Sequence, residues 1–204
     1  MVQTPTTPET ETLSLNLPKT IALSVTPEEF TALAAANRDL RLERIAQGTL
    51  IVNPPADWET GKRNCSIIGQ LDRWYEENRE LGKAFDSSTG FTLPNGAIRS
   101  PDASWVSQER WEALTPEEKT TFPKICPDFV VELRSNSDAL KPLQEKMKEY
   151  LDNGARLGWL INPQQRQVEI YRQSKEKEVL ENPIELSGEE VLPRFVLKLG
   201  QLWT

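Results

Sequence analysis

One short run with carboxylates among apolar residues constrains the fold of this chain more than any other feature. The run Asp128–Leu133 reads Asp, Phe, Val, Val, Glu, Leu. In an extended strand, successive side chains point to opposite faces, so Asp128 and Glu132 share one face with Val130, and three apolar side chains occupy the other. A buried carboxylate is unfavourable unless it is paired, hydrogen-bonded or bound to a metal. The run therefore predicts either a strand whose Glu132 points to solvent or pairs with Arg134, or a buried strand that builds a site.

The composition narrows the chemistry available to such a site. The 204 residues include no histidine, which excludes imidazole-dependent catalysis and imidazole metal sites. A metal would need oxygen ligands, and this favours Mg²⁺, Mn²⁺ or Ca²⁺ over Zn²⁺. The two cysteines, Cys65 and Cys126, match no metal-binding spacing and are interpreted as reduced thiols of a cytoplasmic protein. No apolar run approaches the ~20 residues of a transmembrane helix, so a soluble protein is expected.

The pattern along the chain predicts one domain preceded by a leader. Residues 1–20 are rich in Thr, Pro and Glu and lack periodicity, which is typical of a flexible segment. Residues 21–204 have the length and apolar content of a single domain. The net charge of −7 disfavours broad binding to phosphates, although a local basic rim can coexist with an acidic remainder.

Capping signals and apolar spacing predict helices and strands in alternation. Helices are predicted at 26–36, 58–81, 139–153 and, shorter and followed by a loop, within 108–121. Hairpins are predicted from 40–45 with 49–53, 85–93 with 98–106, and 158–162 with 167–172; residues from 175 on are expected to be irregular until 195–199. This order favours a mixed β-sheet flanked by helices, an α/β or α+β plan.

Two acids and a lysine are predicted to meet where neighbouring strands end. Asp102 follows Pro101 at the start of one predicted strand, and Glu132 lies on the next buried strand. The helix that follows carries Gln144 and Lys146. Metal-assisted phosphodiester hydrolysis requires such a set, because carboxylates hold the divalent ion while a lysine orients the nucleophile and offsets developing charge.

Four segments resemble a known family. They are residues 127–138, 143–154, 157–163 and 168–172, and they closely resemble the Uma-two family of the PD-(D/E)XK nuclease superfamily. The resemblance extends from about Thr26 to the end of the chain. It implies a restriction-endonuclease-like fold, often dimeric, that acts on DNA with Mg²⁺, for which Mn²⁺ can substitute.

The resemblance also implies roles for individual residues. Asp102 matches the motif Asp and Glu132 matches the (D/E) position, which makes both metal ligands and catalytic residues. Arg134 stands where the superfamily pattern has Lys, and Lys146 on the following helix is the matching candidate for that role. Gln144 and Lys146 both flank the apolar stripe of this helix, from which each can reach a strand end or extend into water.

Three further acids have open interpretations. Glu43 lies where the resemblance implies another metal ligand, but it can equally form a salt bridge on a solvated strand, to Arg41 or Arg44. Asp128 is ranked below Asp102, because the ~3.3 Å rise per strand residue separates it from Glu132 by about 13 Å. Asp138 is expected to cap the following helix.

The predicted function is a metal-dependent DNA endonuclease, with a homodimer as the expected assembly. The alternative is a catalytically silent protein of the same fold that serves as a DNA-binding or interaction module. The acidic composition and the Arg at the usual Lys position favour this alternative. The intact acids at both metal positions favour the enzyme, since folding does not require them.

Overall fold

The computed structural model describes residues 22–204, so the leader predicted over residues 1–20 lies outside the described residues. Within them the chain forms helices α1 (Pro27–Ala36), α2 (Trp58–Glu77), α3 (Gln108–Glu112) and α4 (Leu140–Asp152). Helix α1 begins as predicted, since the Thr26 side chain and Glu29 form a reciprocal capping box. No helix in residues 22–204 is both long and apolar enough to cross a membrane.

Strands in the same residues form three sheets. The strands are β1 (Arg41–Arg44), β2 (Leu50–Asn53), β3 (Gly82–Asp86), β4 (Phe91–Thr92), β5 (Ile98–Arg99), β6 (Ala103–Ser107), β7 (Phe129–Leu133), β8 (Leu157–Asn162), β9 (Gln167–Arg172), β10 (Glu178–Glu181), β11 (Glu185–Ser187) and β12 (Val196–Lys198). The largest sheet has six strands in the order β10-β9-β8-β7-β6-β3, a smaller one has the order β2-β1-β5-β4, and β11 pairs with β12.

The six-stranded sheet is mixed, which confirms the predicted fold class. β7 and β8 are parallel and are joined through α4, whereas the other neighbours in this sheet are antiparallel. A parallel pair needs a crossover, and a helix is the usual one. The unit β7-α4-β8 therefore places α4 against the sheet, above the strand that carries Glu132.

The core lies on both faces of this sheet. On one face, Phe129, Val131 and Leu133 pack with apolar residues of α2 and of the C-terminal segment. On the other face, Val130 packs with Met147 and other residues of α4. The alternation predicted for Asp128–Leu133 is thus correct, and it turns Glu132 towards α4.

A glycine allows α4 to lie close to the sheet. A Cβ atom added at Gly158 of β8 would stand only 2.4 Å from the terminal methyl carbon of Met147. Met147 is fully buried, so a larger residue at position 158 would force the end of the Met147 side chain to move. The helix ends before Gly154, whose φ of +109° suits the glycine predicted to close it.

Several predicted elements are corrected. The hairpin predicted from 85–93 and 98–106 forms, but it is divided between two sheets, since β3 pairs with β6 in the large sheet and β4 pairs with β5 in the smaller one. Pro101 separates β5 from β6, and proline cannot donate a hydrogen bond to a strand ladder.

The helix predicted to reach residue 81 ends at Glu77, where the Asn78 side chain donates a hydrogen bond to the carbonyl of Trp74. The segment after residue 175, predicted as irregular, contains β10 and β11.

Candidate active site

A cleft of about 630 Å³ lies between the four-stranded sheet, α2, the end of β7 and the first turns of α4. Its lining includes Glu43 of β1, Asp102, Glu132 of β7 and Lys146 of α4. These residues were predicted from distant parts of the sequence. The fold brings all of them to one concave surface.

Glu132 is bound by two side chains of α4. Its Oε1 lies 2.8 Å from Lys146 Nζ and accepts a hydrogen bond of 3.0 Å from the Tyr150 hydroxyl. Glu132 is only 4% exposed, and its partner is Lys146 rather than Arg134. The interpretation of Glu132 as solvent-facing or paired with Arg134 is therefore wrong. Tyr150 was missed at the sequence level, although its position four residues after Lys146 places both side chains on one face of the helix.

Glu43 holds the same lysine from the other sheet. Lys146 Nζ lies 2.8 Å from Glu43 Oε1, which also accepts a hydrogen bond of 3.1 Å from the Ser100 amide. Glu43 Oε2 lies 3.2 Å from the Arg99 guanidinium. Glu43 is buried, so the interpretation of a solvated strand with a salt bridge to Arg41 or Arg44 is wrong.

Asp102 is fixed to the strand that carries Glu132. Its amide donates to the Val131 carbonyl at 3.0 Å, and its Oδ2 accepts from the Leu133 amide at 2.8 Å. Its other oxygen, Oδ1, has only distant partners, Asn64 Nδ2 at 3.4 Å and Arg41 Nη2 at 3.6 Å. One oxygen of Asp102 therefore anchors the carboxylate, and the other is weakly held.

The cleft shifts the pKa values of its carboxylates in opposite directions. Burial, with further contributions from Asp102 and Glu43, raises the pKa of Glu132 to about 7 despite the attraction of Lys146. Burial also raises the pKa of Asp102, and the Leu133 amide and Lys146 only partly offset it. In Glu43 burial is outweighed by Lys146 and Arg99, so its pKa is lowered.

Lys146 stays charged between these acids. Burial by itself lowers the pKa of an ammonium group, but the carboxylates of Glu132 and Glu43 outweigh it and raise the pKa of Lys146 above its usual value. Lys146 is thus a fixed positive charge and a hydrogen-bond donor. This differs from a desolvated catalytic lysine, whose pKa falls.

The donor set fits a hard divalent cation of the Mg²⁺ type that is completed by other oxygens. Across residues 22–204, no three Asp, Glu, Cys or His side chains are grouped closely enough to hold a metal ion by themselves. Mg²⁺ is commonly held by one or two carboxylates together with waters and substrate phosphates, so Asp102 and Glu132 can suffice. Next to Asp102, Asn64 Oδ1 is buried and has no hydrogen-bond partner among these residues. An unpaired buried acceptor is unfavourable by ~1–3 kcal/mol and indicates a place where a further donor or cation fits.

Comparison with known proteins gives the family of the chain. The profile of the Uma2 family, described as "Putative restriction endonuclease", matches residues 27–200. The chain belongs to the Uma2 family. Family membership supports a nuclease function and DNA as the substrate. No curated protein matches the sequence.

A solved structure shares the fold of this Uma2 protein. It is the crystal structure of a "putative nuclease belonging to DUF820" from Anabaena variabilis ATCC 29413, with a TM-score of 0.67 and 21% sequence identity. The match covers 79% of this chain and 89% of that chain. At this level of identity the likeness establishes the fold.

Two of the candidate residues lie outside the cleft of the Uma2 protein. Gln144 donates a hydrogen bond of 2.6 Å to Glu169 of β9. Arg134 donates to the Asp138 carbonyl at 3.1 Å and to the Asn162 side chain at 3.3 Å. Neither residue contributes to the lining of the cleft. Of Lys146 and Arg134, only Lys146 lies beside the acids.

The two remaining aspartates have structural partners. Asp128 is buried and accepts a hydrogen bond of 2.8 Å from the Ser107 amide, and Arg110 lies 3.1 Å from its other oxygen. Asp138 accepts from the Ser135 amide at 2.9 Å. It does not cap α4, whose N-cap is Ala139 without a side-chain hydrogen bond. The prediction of an Asp138 cap is wrong, because the Ser-rich turn before α4 uses this carboxylate.

Proposed function

We propose that this protein is a Mg²⁺-dependent DNA endonuclease that hydrolyses phosphodiester bonds, with Asp102 and Glu132 as metal ligands and Lys146 as the assisting cation. One observation carries the proposal: Lys146 Nζ lies 2.8 Å from Glu132, and Asp102 is hydrogen-bonded to the residue after Glu132. Folding does not require two acids and a lysine in a polar cleft. Membership in the Uma2 family supports the nuclease part of the proposal.

Asp102 and Glu132 are assigned to Mg²⁺, for which Mn²⁺ can substitute. When bound, Mg²⁺ supplies Lewis-acid polarisation of a phosphoryl oxygen and a lowered pKa for coordinated water. The weakly held Oδ1 of Asp102 is free to turn towards the cleft, while the Leu133 amide keeps the carboxylate in place. Tyr150 orients Glu132 in the same manner from the helix side.

Lys146 is assigned to electrostatic stabilisation. Because its pKa is raised, it carries its proton at neutral pH and cannot serve as the general base. A fixed ammonium beside the cleft offsets the negative charge that develops on a phosphate in the transition state. Glu43 is assigned to holding Lys146, since Lys146 and Ser100 occupy one of its oxygens and Arg99 the other.

A plasmid-nicking assay with matched aspartate variants tests this function. Wild type is expected to nick supercoiled DNA with Mg²⁺ or Mn²⁺ and to stop when EDTA is added. Asp102→Asn should lower the rate by a factor on the order of 10² or more. Asp128→Asn removes a buried carboxylate outside the cleft and should retain cleavage if the variant is folded, as checked by circular dichroism. Calorimetric titration with Mn²⁺ should show binding to Asp128→Asn and lost binding to Asp102→Asn.

The same assay separates the enzyme from the silent nuclease-fold alternative. Wild-type protein that binds duplex DNA but leaves plasmid intact with either metal would support a binding module. Cleavage by wild type that persists at full rate in Asp102→Asn would refute the assignment of the site.

The proposed assembly is a homodimer of a cytoplasmic enzyme. One active site per chain cuts one strand, so a two-fold dimer is the simplest way to cut both strands of a duplex. Light scattering is expected to give twice the mass of the chain for the free protein, and two chains plus the DNA for the complex. A monomer under both conditions would contradict this assembly.

A further inference from the structure

A second groove, of about 480 Å³, continues from the cleft. Its lining comes from α1, from the start of β1, from the turn after β3 and from residues 120–122. Arg41 and Ser100 line both the cleft and this second groove. The two depressions are therefore neighbours that share a boundary at Arg41.

The second groove differs from the cleft in its chemistry. Its lining carries six hydroxyl groups, of which those of Thr31, Ser88 and Thr120 already donate to protein acceptors. Within the described part of the chain, the hydroxyl groups of Ser87, Ser100 and Thr121 are left as donors. It also contains the exposed Arg38, which forms no ion pair with residues 22–204. Among residues 22–204, Asp39 is the only acid that lines this groove, whereas several acids line the cleft. Hydroxyl groups and arginines are common donors to the phosphate oxygens of nucleic acids.

Arg41 has unused hydrogen-bonding capacity at the boundary. Its nearest carboxylate oxygen, Asp102 Oδ1, is 3.6 Å away, which is longer than a hydrogen bond. Its Nε is buried and has no partner among the described residues. A guanidinium presents several donors in one plane and matches a phosphate with two parallel bonds. A phosphate at this boundary would accept from the Nη groups of Arg41, whereas the Nε is buried.

We propose that the second groove binds the sugar-phosphate backbone of the DNA strand next to the scissile phosphate, with Arg41 at the boundary and Arg38 farther along. The inference rests on the proposed function and extends it, because it gives the bound strand a direction away from the metal ligands. It also explains how an acidic protein can bind DNA. The carboxylates surround the cleft, and the adjoining groove supplies donors for the flanking phosphates.

Filling the groove tests the proposal directly. Ala35→Trp places a large side chain in the lining, and Ala36→Trp adds the same side chain at the next position, which does not line the groove. Binding of a fluorescent DNA duplex is measured by anisotropy in EDTA, so that no cleavage occurs. We expect at least a fivefold weaker affinity for Ala35→Trp and wild-type affinity for Ala36→Trp.

A charge variant provides a second test that does not depend on packing. Arg38→Gln is compared with Arg73→Gln, which removes an equal charge from an exposed position on α2. Loss of one phosphate contact should lower the slope of log affinity against log salt by about 0.9 and weaken binding about two- to fivefold at low salt. Arg73→Gln should leave the slope unchanged.

The outcomes separate this inference from the proposed function. If Ala35→Trp and Arg38→Gln bind DNA with the affinity and the salt dependence of wild type, the second groove is not the path of the strand. Metal-dependent nicking by wild type would still uphold the nuclease in that case. Wild type that neither binds the duplex nor nicks plasmid would overturn both.

Discussion

Two buried glutamates face the same helix and yet differ in their electrostatics. Glu132 on β7 and Glu169 on β9 lie in register with Leu160 of the strand between them. Each accepts a hydrogen bond from a tyrosine hydroxyl, Tyr150 for Glu132 and Tyr171 for Glu169. Both are less than a tenth exposed.

Each glutamate also binds a side chain of α4. Glu132 binds Lys146 and Glu169 binds Gln144. Glu169 has an additional lysine, Lys177, at 2.9 Å. Each acid therefore has a tyrosine and a lysine as partners, and each contacts α4. Local hydrogen bonding alone does not distinguish the two sites.

The surrounding charges do distinguish them. Burial and the nearby acids Asp102 and Glu43 raise the pKa of Glu132 to about 7. For Glu169, burial is outweighed by hydrogen bonds from Tyr171, Lys177 and Gln144, and the pKa is lowered. Carboxylates gathered at one point oppose each other's ionisation, and such crowding is characteristic of functional sites. The difference favours Glu132 as part of the proposed site and Glu169 as a structural acid whose charge is satisfied.

The largest expected effect is a loss of stability, and it differs between variants of the two lysines. Lys146→Met removes a buried cation from two carboxylates, and breaking such a pair costs about 3–5 kcal/mol of unfolding free energy. Lys177→Met removes a cation whose side chain is 35% exposed, and this should cost at most about 1 kcal/mol. Urea denaturation of the metal-free protein at neutral pH measures both. Equal losses would mean that the two acids are equivalent after all.

The second-largest expected effect is a loss of cleavage rate, and it differs between variants of the two glutamates. Glu132→Gln keeps the shape of the side chain but removes the proposed metal ligand, so plasmid nicking should slow by a factor on the order of 10², or about 2.7 kcal/mol. Glu169→Gln should nick within about twofold of wild type, since Glu169 does not line the cleft. A slow Glu169→Gln variant that is folded under the assay conditions would contradict the distinction.

The smallest expected effect is a pH-dependent contribution of Glu169 to the stability of the fold. Its pKa in the folded protein is lowered, whereas an unfolded glutamate titrates near about 4.3. Its carboxylate therefore contributes stability that is present above about pH 4.3 and is lost as the pH falls through the folded-state pKa. Glu169→Gln should be less stable than wild type at pH 7, and the gap should close in acid. Denaturation curves at pH 7 and in the acid range test this, and a gap that widens in acid would be inconsistent with it.

The sequence by itself determined those parts of the molecule whose signals are local. The alternation of Asp128–Leu133, the helix before Gly154 and the hairpin of β8 and β9 follow from side-chain periodicity and turn residues. The chain's place in a nuclease fold follows from the same segments. Pairings between distant strands carry no such local signal. Consequently the division of the hairpin 85–93 and 98–106 between two sheets was not predicted.

Only the tertiary structure decided which polar side chains belong to the site. Glu43 and Lys146 are 103 residues apart in the chain and meet because the smaller sheet closes over α4. Gln144 and Lys146 both flank the apolar stripe of α4, but one turns to Glu169 and the other to Glu132. Periodicity assigns a residue to a face of its own element, whereas charge, burial and pKa depend on what the other elements bring to that face.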